Sequence, residues 1–348
     1  MSKETNGSIM TDRINALVLG VGGNVSIGIL NVLRNSDINL YIFGACVQKY
    51  AAGFAFCDES LLCPFATHES FLPWLKEVVT EHSIDIVLSG VEEINSTLAG
   101  AGKLNDKCKF LVPEKHSIDT FNDKLKTSKW LAENNIIHPT TLDLSESYSF
   151  DQVKSIIGLP FVVKPKVGKS SAGVFIITNK SQYSTIDGRE LCVAQQFIGD
   201  AASEYTCGVY KSKFGYTEII IMHRLLRYGS TSIAEVVQNE QIFNYCKQIA
   251  DACTTTGPFN IQLRFCKSSE KPFCFEVNMR LSGTTAIRHG FGFKDCQVWI
   301  KETIYGKNYR NDFKVKPAIA VRYEAEVYFD KSTGDSPILS KLATMTGN

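Results

Sequence analysis

The pattern of apolar runs changes character along this chain, and that change limits the architecture more than any other feature. Up to residue 112, short apolar runs alternate with helix-like segments. The runs are NALVLGV (15–21), INLYIFGAC (38–46), IDIVLSG (84–90) and KFLVPE (109–114). Between them Ile27, Leu30, Val32 and Leu33, and later Phe71, Leu72, Leu75, Val78 and Val79, recur at helical spacing. Such alternation predicts a parallel sheet covered by helices on both faces. LPFVVKPKVGKSSAGVFII (159–177) then reads as strand, Gly/Ser-rich turn, strand, and after residue 190 strands dominate: LCVAQQFI, SEYTCGVY, YTEIIIMHR, 258–266, 272–280 and a last one near 317–328. Helices are expected at about 122–135, 239–253 and 294–305. The expected fold class is α/β plus α+β: an N-terminal parallel-sheet, Rossmann-like domain followed by strand-rich units.

The bulk numbers exclude several classes of partner. A chain of 348 residues with 44% hydrophobic and 21% charged residues has the composition of a globular protein large enough for two or three domains. A net charge of +1, with no Lys/Arg block longer than two, argues against a nucleic-acid footprint. No apolar run approaches the ~18 residues needed to cross a bilayer, and the polar start MSKETNGSIMTDR lacks a signal-peptide core. The 11 cysteines are scattered without any C-x-x-C, which points to apolar filler in a reducing, cytoplasmic compartment.

Two neighbouring stretches carry the chemistry. In 273-FCFEVNMR-280, strict alternation puts Phe273, Phe275, Val277 and Met279 on one face and Cys274, Glu276, Asn278 and Arg280 on the other. In 259-FNIQLRF-265, Asn260, Gln262 and Arg264 oppose an apolar face in the same way. The short polar link CKSSEKP predicts an antiparallel hairpin, and a turn centred on Ser269 puts Gln262 opposite Glu276 and Asn260 opposite Asn278. Opposed β-carbons lie ~4.5–5.5 Å apart, within reach of one shared ion. A magnesium ion takes one or two protein oxygens and keeps positions for phosphate and water, and Arg280 offers a fork to a phosphate at the same edge. The plain alternative is a solvent-washed hairpin face. In FVVKPKVGKSSAGVFII, Lys164 ends an apolar strand, and the small residues that follow let phosphates approach the backbone, although a simple hairpin turn explains them too.

Taken in order, DK (123–124), VVKPKVGKSSAGV (162–174), QQFIGDAASEYT (195–206), HR (223–224), FNIQL (259–263) and FEVNMRLSG (275–283) give a chain that resembles ATP-grasp proteins. The resemblance is to the subgroup of carbamoyl-phosphate synthase large-subunit-like domains and carboxylate–amine ligases, and it covers roughly residues 14–325. It implies a pre-ATP-grasp domain (1–112), a small subdomain with the phosphate loop (113–190) and a C-terminal subdomain with hinge and metal site (191–348). ATP would lie between the last two. Lys124 and Lys164 match the phosphate-holding cations, and Ser171, Ala172, Gly173 and Val174 match the loop over the triphosphate. Gln195, Gln196, Phe197 and Ile198 match the adenine-reading hinge, and Glu204 matches the ribose-binding acid. Gln262, Glu276 and Asn278 match the metal ligands for magnesium, with manganese as the alternative. Arg280, Lys164 and Arg224 match the cations that steady the phosphoryl group. The chain departs from the family pattern in Gln-Gln at the hinge, in a longer hinge-to-Glu204 segment, in Met279 for Pro and in Gln262 for Glu.

The activity implied is an ATP-dependent ligase forming an amide or peptide-like bond, or a thioester, through an acylphosphate. The partners would be small-molecule carboxylates and amines (amino acid, peptide or sugar acid), with a homodimer as the default assembly. Arg288 is a candidate for a substrate carboxylate, with His289 beside it, and Glu92 and Glu93 for first-domain substrate contacts. Two other classes stay open: an ATP-binding regulatory subunit without ligase activity, and a nicotinamide oxidoreductase suggested by 18-VLGVGGNVSIG-28. The second lacks the expected ribose-binding acid, since NLYIFGACVQ carries no Asp or Glu.

Overall fold

The computed structural model describes residues 13–168, 172–330 and 337–338. The first unit comprises β1 (Ile14–Leu19), α1 (Asn24–Arg34), β2 (Leu40–Cys46), β3 (Glu59–Leu62), α2 (Phe71–Glu81), β4 (Ile86–Ser89), α3 (Glu92–Ala101) and β5 (Lys109–Phe110). Its five strands run parallel in the order β3-β2-β1-β4-β5. Alternation along β1 separates two cores. Ala16 and Val18 pack with Ile29, Leu30 and Leu33 of α1, while Leu17 and Leu19 pack with Leu75 and Val79 of α2 and with Leu98 of α3.

The chain continues through α4 (Lys115–Phe121), α5 (Lys124–Glu133), β6 (Thr141–Asp143), α6 (Phe150–Ile157), β7 (Phe161–Pro165), β8 (Phe175–Ile177), α7 (Lys180–Ser184) and β9 (Cys192–Gln196). Strands β6-β9-β7-β8 form an antiparallel sheet with a core of its own, built from Val153, Phe161, Val163, Ile177, Tyr183 and Ala194. A capping box starts α6. Gln152 N–H donates to Ser149 Oγ at 3.3 Å, and Ser149 N–H donates to Gln152 Oε1 at 2.8 Å.

The last unit contains β10 (Glu204–Lys211), β11 (Thr217–Arg227), β12 (Ser230–Val236), α8 (Glu240–Ala252), β13 (Gly257–Cys266), β14 (Lys271–Asn278), α9 (Thr285–Gly290), α10 (Asp295–Tyr305) and β15 (Ile319–Val321). Its six strands are antiparallel in the order β14-β13-β10-β11-β12-β15. One face is apolar: Cys207, Val209, Phe259, Ile261 and Leu263 pack on Ile242, Cys246 and Ile249 of α8. The other face is graded. Tyr210, Ile220 and Met222 pack on Phe291, Phe293 and Val298, whereas Glu204, Thr206, Arg224, Gln262 and Glu276 on the same sheet line an open cleft.

Helix α10 is shared between two cores. Its Cys296 and Ile300 complete the α1 side of the parallel sheet, and its Val298 belongs to the aromatic core of the six-stranded sheet. Lys301 Nζ adds a polar tie, donating to Asp37 and to Asp312 at 2.8 Å each.

The β13–β14 hairpin differs from its expected alternation in one respect. Asn260 pairs with Asn278 and Gln262 with Glu276, in the register read from the turn. Between Gln262 and Leu263 the register shifts, and Leu263 faces Cys274, so Phe275 is the extra residue of a β-bulge. The bulge reverses side-chain parity. Cys274 enters the core with Val277, while Phe273 and Phe275 join Glu276 and Asn278 on the cleft side. The expected all-apolar face with Phe273 and Phe275 on it is therefore corrected.

Candidate active site

A cleft of about 550 Å³ lies between the four- and six-stranded sheets and reaches the carboxyl-terminal edge of the parallel sheet. Its floor is the polar half of the six-stranded sheet. There Glu204 is buried and its two oxygens are taken by different arginines. Arg224 Nη2 donates to Oε1 at 2.6 Å, and Arg264 Nη2 donates to Oε2 at 3.2 Å. Arg224 Nη2 also donates to Gln262 Oε1 at 2.8 Å, so this arginine bridges two of the expected site residues. On β14, Asn278 Nδ2 donates to Glu276 Oε1 at 3.0 Å, while Asn278 Oδ1 accepts from Arg280 Nη2 at 3.1 Å. Asn260, from the same alternation, is buried and accepts from Thr206 Oγ1 at 3.0 Å.

The four-stranded sheet supplies the opposing lysines. Lys164 ends β7 only 6% exposed, and its Nζ donates to the Phe275 carbonyl at 3.3 Å. Burial pushes its pKa down to about 8; nearby Glu276 opposes the shift, and Lys124 reinforces it. The carbonyl that steadies this lysine belongs to the bulge residue itself. Lys124 opens α5 behind Asp123, whose carboxylate accepts from Leu125 N–H at 2.8 Å and Lys126 N–H at 3.1 Å. Its own Nζ donates to the Gly168 carbonyl at 3.1 Å, at the edge of the Gly/Ser loop. Of the loop, Ala172 and Val174 line the cleft and Gly173 turns the chain at φ 71°. Ser171 lies outside the described residues.

The hinge runs from β9 over the cleft. Gln196 N–H donates to Thr140 O at 2.8 Å, and Gln195 Nε2 donates to Thr141 Oγ1 at 2.9 Å. Phe197 stacks under Arg264, whose guanidinium carbon is 4.8 Å from the ring centroid, and Ile198 O accepts from Arg264 Nη1 at 3.3 Å. All four hinge residues line the cleft.

The parallel sheet closes the remaining side with Gly23–Ser26 at the start of α1 and with Gly90–Glu92. These two loops are in close contact: a β-carbon on Gly90 would lie 2.5 Å from Val25 Cβ. Arg280 Nη2 and Nε donate to Glu92 Oε1 at 2.6 and 3.0 Å, across 188 residues of sequence. Glu93 is exposed and does not line the cleft.

The structure thus brings together Lys124, Lys164, Ala172, Val174, the hinge, Glu204, Arg224, Gln262, Glu276, Asn278 and Arg280 around one space. It places Arg288 elsewhere. That side chain is 0% exposed, its Nε donates to Asp295 Oδ2 at 2.8 Å, and its Nη1 donates to Ser282 Oγ at 2.8 Å. A guanidinium ion-paired with Asp295 in the interior and absent from the cleft lining is closed to a ligand there, so the expected substrate role is replaced by bracing of the Ser282 turn. His289 also lies outside the cleft lining, and burial pushes its pKa down. Cleft residues the sequence reading missed include Phe273 and Phe275, hidden by the bulge, and Arg322, which no local pattern announces.

Residues 202–326 match the family profile described as "ATP-grasp in the biosynthetic pathway with Ter operon". No curated protein sequence matches the chain. Among solved structures, the L-amino acid ligase of Bacillus licheniformis superimposes with TM-score 0.69 at 16% identity, over 91% of this chain and 82% of that one. The N5-carboxyaminoimidazole synthetase of Staphylococcus aureus, complexed with ADP, gives TM-score 0.67 at 15% identity, over 88% and 80%. Biotin carboxylase of Campylobacter jejuni, in a β-γ-ATP complex, gives TM-score 0.67 at 16% identity, over 86% and 73%. Identities this low speak for the fold alone. Among the described residues no helix is long and apolar enough to cross a membrane. Residues 202–326 are thus similar to the ATP-grasp family, and over most of its length the chain shares the fold of these solved structures.

Proposed function

We propose that the chain binds ATP between the four- and six-stranded sheets and uses it to join a carboxylate to an amine. One observation carries this reading. A carboxylate and two amides (Glu276, Gln262 and Asn278) share the cleft floor, and the opposing sheet delivers Lys124 and Lys164 to the same space. The nucleotide-bound relatives of the same fold support it.

A carboxylate is a poor electrophile until one of its oxygens becomes a leaving group. Transfer of the γ-phosphoryl group to that oxygen gives an acylphosphate and ADP. An amine then attacks the acyl carbon, and phosphate departs with the former carboxylate oxygen. The protein's task is charge compensation and in-line placement rather than covalent help. Lys164 and Lys124 would hold the phosphates. Arg280, fixed by Glu92 and Asn278, would face the transferring group, and the hinge backbone would take the adenine edge.

The donor set also suits a metal. Oxygen donors with a single formal charge fit a hard cation completed by phosphate and water. Among the described residues no group of three His, Cys, Asp or Glu could hold a metal without such help. Glu276, Gln262 and Asn278 would hold magnesium, or manganese in its place, which when bound screens the phosphate charge.

The test is ATP-dependent phosphate release over a panel of acids and amines. Glu276→Gln is expected to lower it by about 100-fold or more with an unchanged melting temperature. Release at the wild-type rate in that variant would remove Glu276 from the chemistry. ATP binding with no acid-dependent release from the wild-type protein would favour the regulatory-subunit reading.

A further inference from the structure

Four arginines line the cleft, and three are neutralised within it. Arg224 and Arg264 share Glu204, and Arg280 is held by Glu92. Arg322, immediately beyond β15, is the exception. Among the described residues it forms no ion pair, and its Nη2 donates to a neutral acceptor, the Gly283 carbonyl, at 2.5 Å. Its backbone N–H donates to Ser232 O at 2.8 Å, which fixes the residue against the start of β12. The side chain is half-buried, and burial pushes its pKa down. A guanidinium nevertheless stays charged. A partly desolvated cation without a counter-ion carries a free-energy cost that a bound anion removes.

Its position relative to the chemistry is also constrained. Gly283 is three residues beyond Arg280, so their backbones are separated by at most ~11 Å. The turn between them is rigidly braced: Ser282 Oγ donates to Asn260 Oδ1 at 3.3 Å and accepts from the buried Arg288 Nη1 at 2.8 Å. The Arg322 cation, which has no counter-ion among the described residues, therefore sits a small molecule's length from the place where a carboxylate would be activated. Its planar fork suits a carboxylate or a phosphate equally.

Resting on the activation proposed at Glu276 and Arg280, we propose that Arg322 receives a second anionic group of the acid substrate. The substrate class is then a small acid with two anionic groups, one activated and one held. Monocarboxylates would leave Arg322 unpaired and be poor substrates.

The experiment uses the full chain with magnesium and ATP, and hydroxylamine to trap the acylphosphate as a hydroxamate. One arm offers dicarboxylates (aspartate, glutamate, succinate and glutarate), with asparagine and glutamine as the matched partners of the first two. A second arm offers phosphorylated acids (phosphoserine and 3-phosphoglycerate), with serine and glycerate as matched partners. Wild-type protein is expected to favour at least one doubly anionic acid over its partner by about tenfold or more in kcat/KM. The arm that responds identifies the held group. Arg322→Gln should erase the preference and Arg322→Lys should restore part of it, while both variants bind a non-hydrolysable ATP analogue like wild type by calorimetry.

Three results would overturn the assignment. One is a preference that survives in Arg322→Gln. Another is equal or better use of the singly charged partners. The third is intact ATP-analogue binding with no hydroxamate from any doubly anionic acid. Absence of ATP-analogue binding in the wild-type protein would instead strike the underlying reading, and this inference with it.

Discussion

Lys164 ends an apolar strand, and its burial and its bond to the Phe275 carbonyl depend on a second sheet 111 residues away. With a pKa of about 8, it is mostly protonated at pH 7 and loses its charge as pH rises through 8. The protonated form is the one that attracts phosphate, so affinity for an ATP analogue should be level below about pH 7.5. Above pH 8 it should fall, by up to about tenfold per unit, until the pKa of the liganded state is reached. Calorimetry across pH 6.5–9.5 measures this, and Lys164→Met should bind weakly with that pH dependence removed. Glu276, Gln262 and Asn278 were readable because one hairpin contains them all. Arg322 was not, since only the folded chain brings it to a cleft whose other described members all lie far upstream, Thr284 being the nearest in sequence.

At the scale of the element, the β13–β14 hairpin was half legible. Counting residues to the turn fixed the pairing of Gln262 with Glu276, but nothing in FCFEVNMR marks an inserted residue, because the insert is one more phenylalanine among phenylalanines. The bulge makes a testable exchange of roles between neighbours. Cys274 is 1% exposed in the core and its thiol is pushed up to about 12 by burial, whereas Phe273 lines the cleft. Cys274→Asp should lose about 3 kcal/mol or more of stability by urea denaturation. Phe273→Asp should lose much less. Uninterrupted alternation would predict the reverse order.

For the whole molecule, the β/α alternation announced the parallel sheet and the later strands announced the antiparallel ones. What joins them could not be read, because nothing in DCQVWIKETIY marks a helix that serves two cores. In the fold it fills two cores, and Lys301 ties it to Asp37 of the first unit and to Asp312. Lys301→Ala leaves two carboxylates without their cation and should cost about 1–3 kcal/mol in urea denaturation.

The double allegiance of α10 has a practical outcome for anyone dividing the gene. A fragment ending at residue 112 would keep all five parallel strands but expose the apolar floor that Leu281, Cys296 and Ile300 roof over. Such a piece is expected to precipitate on expression, and supplying residues 281–305 in trans should help keep it in solution.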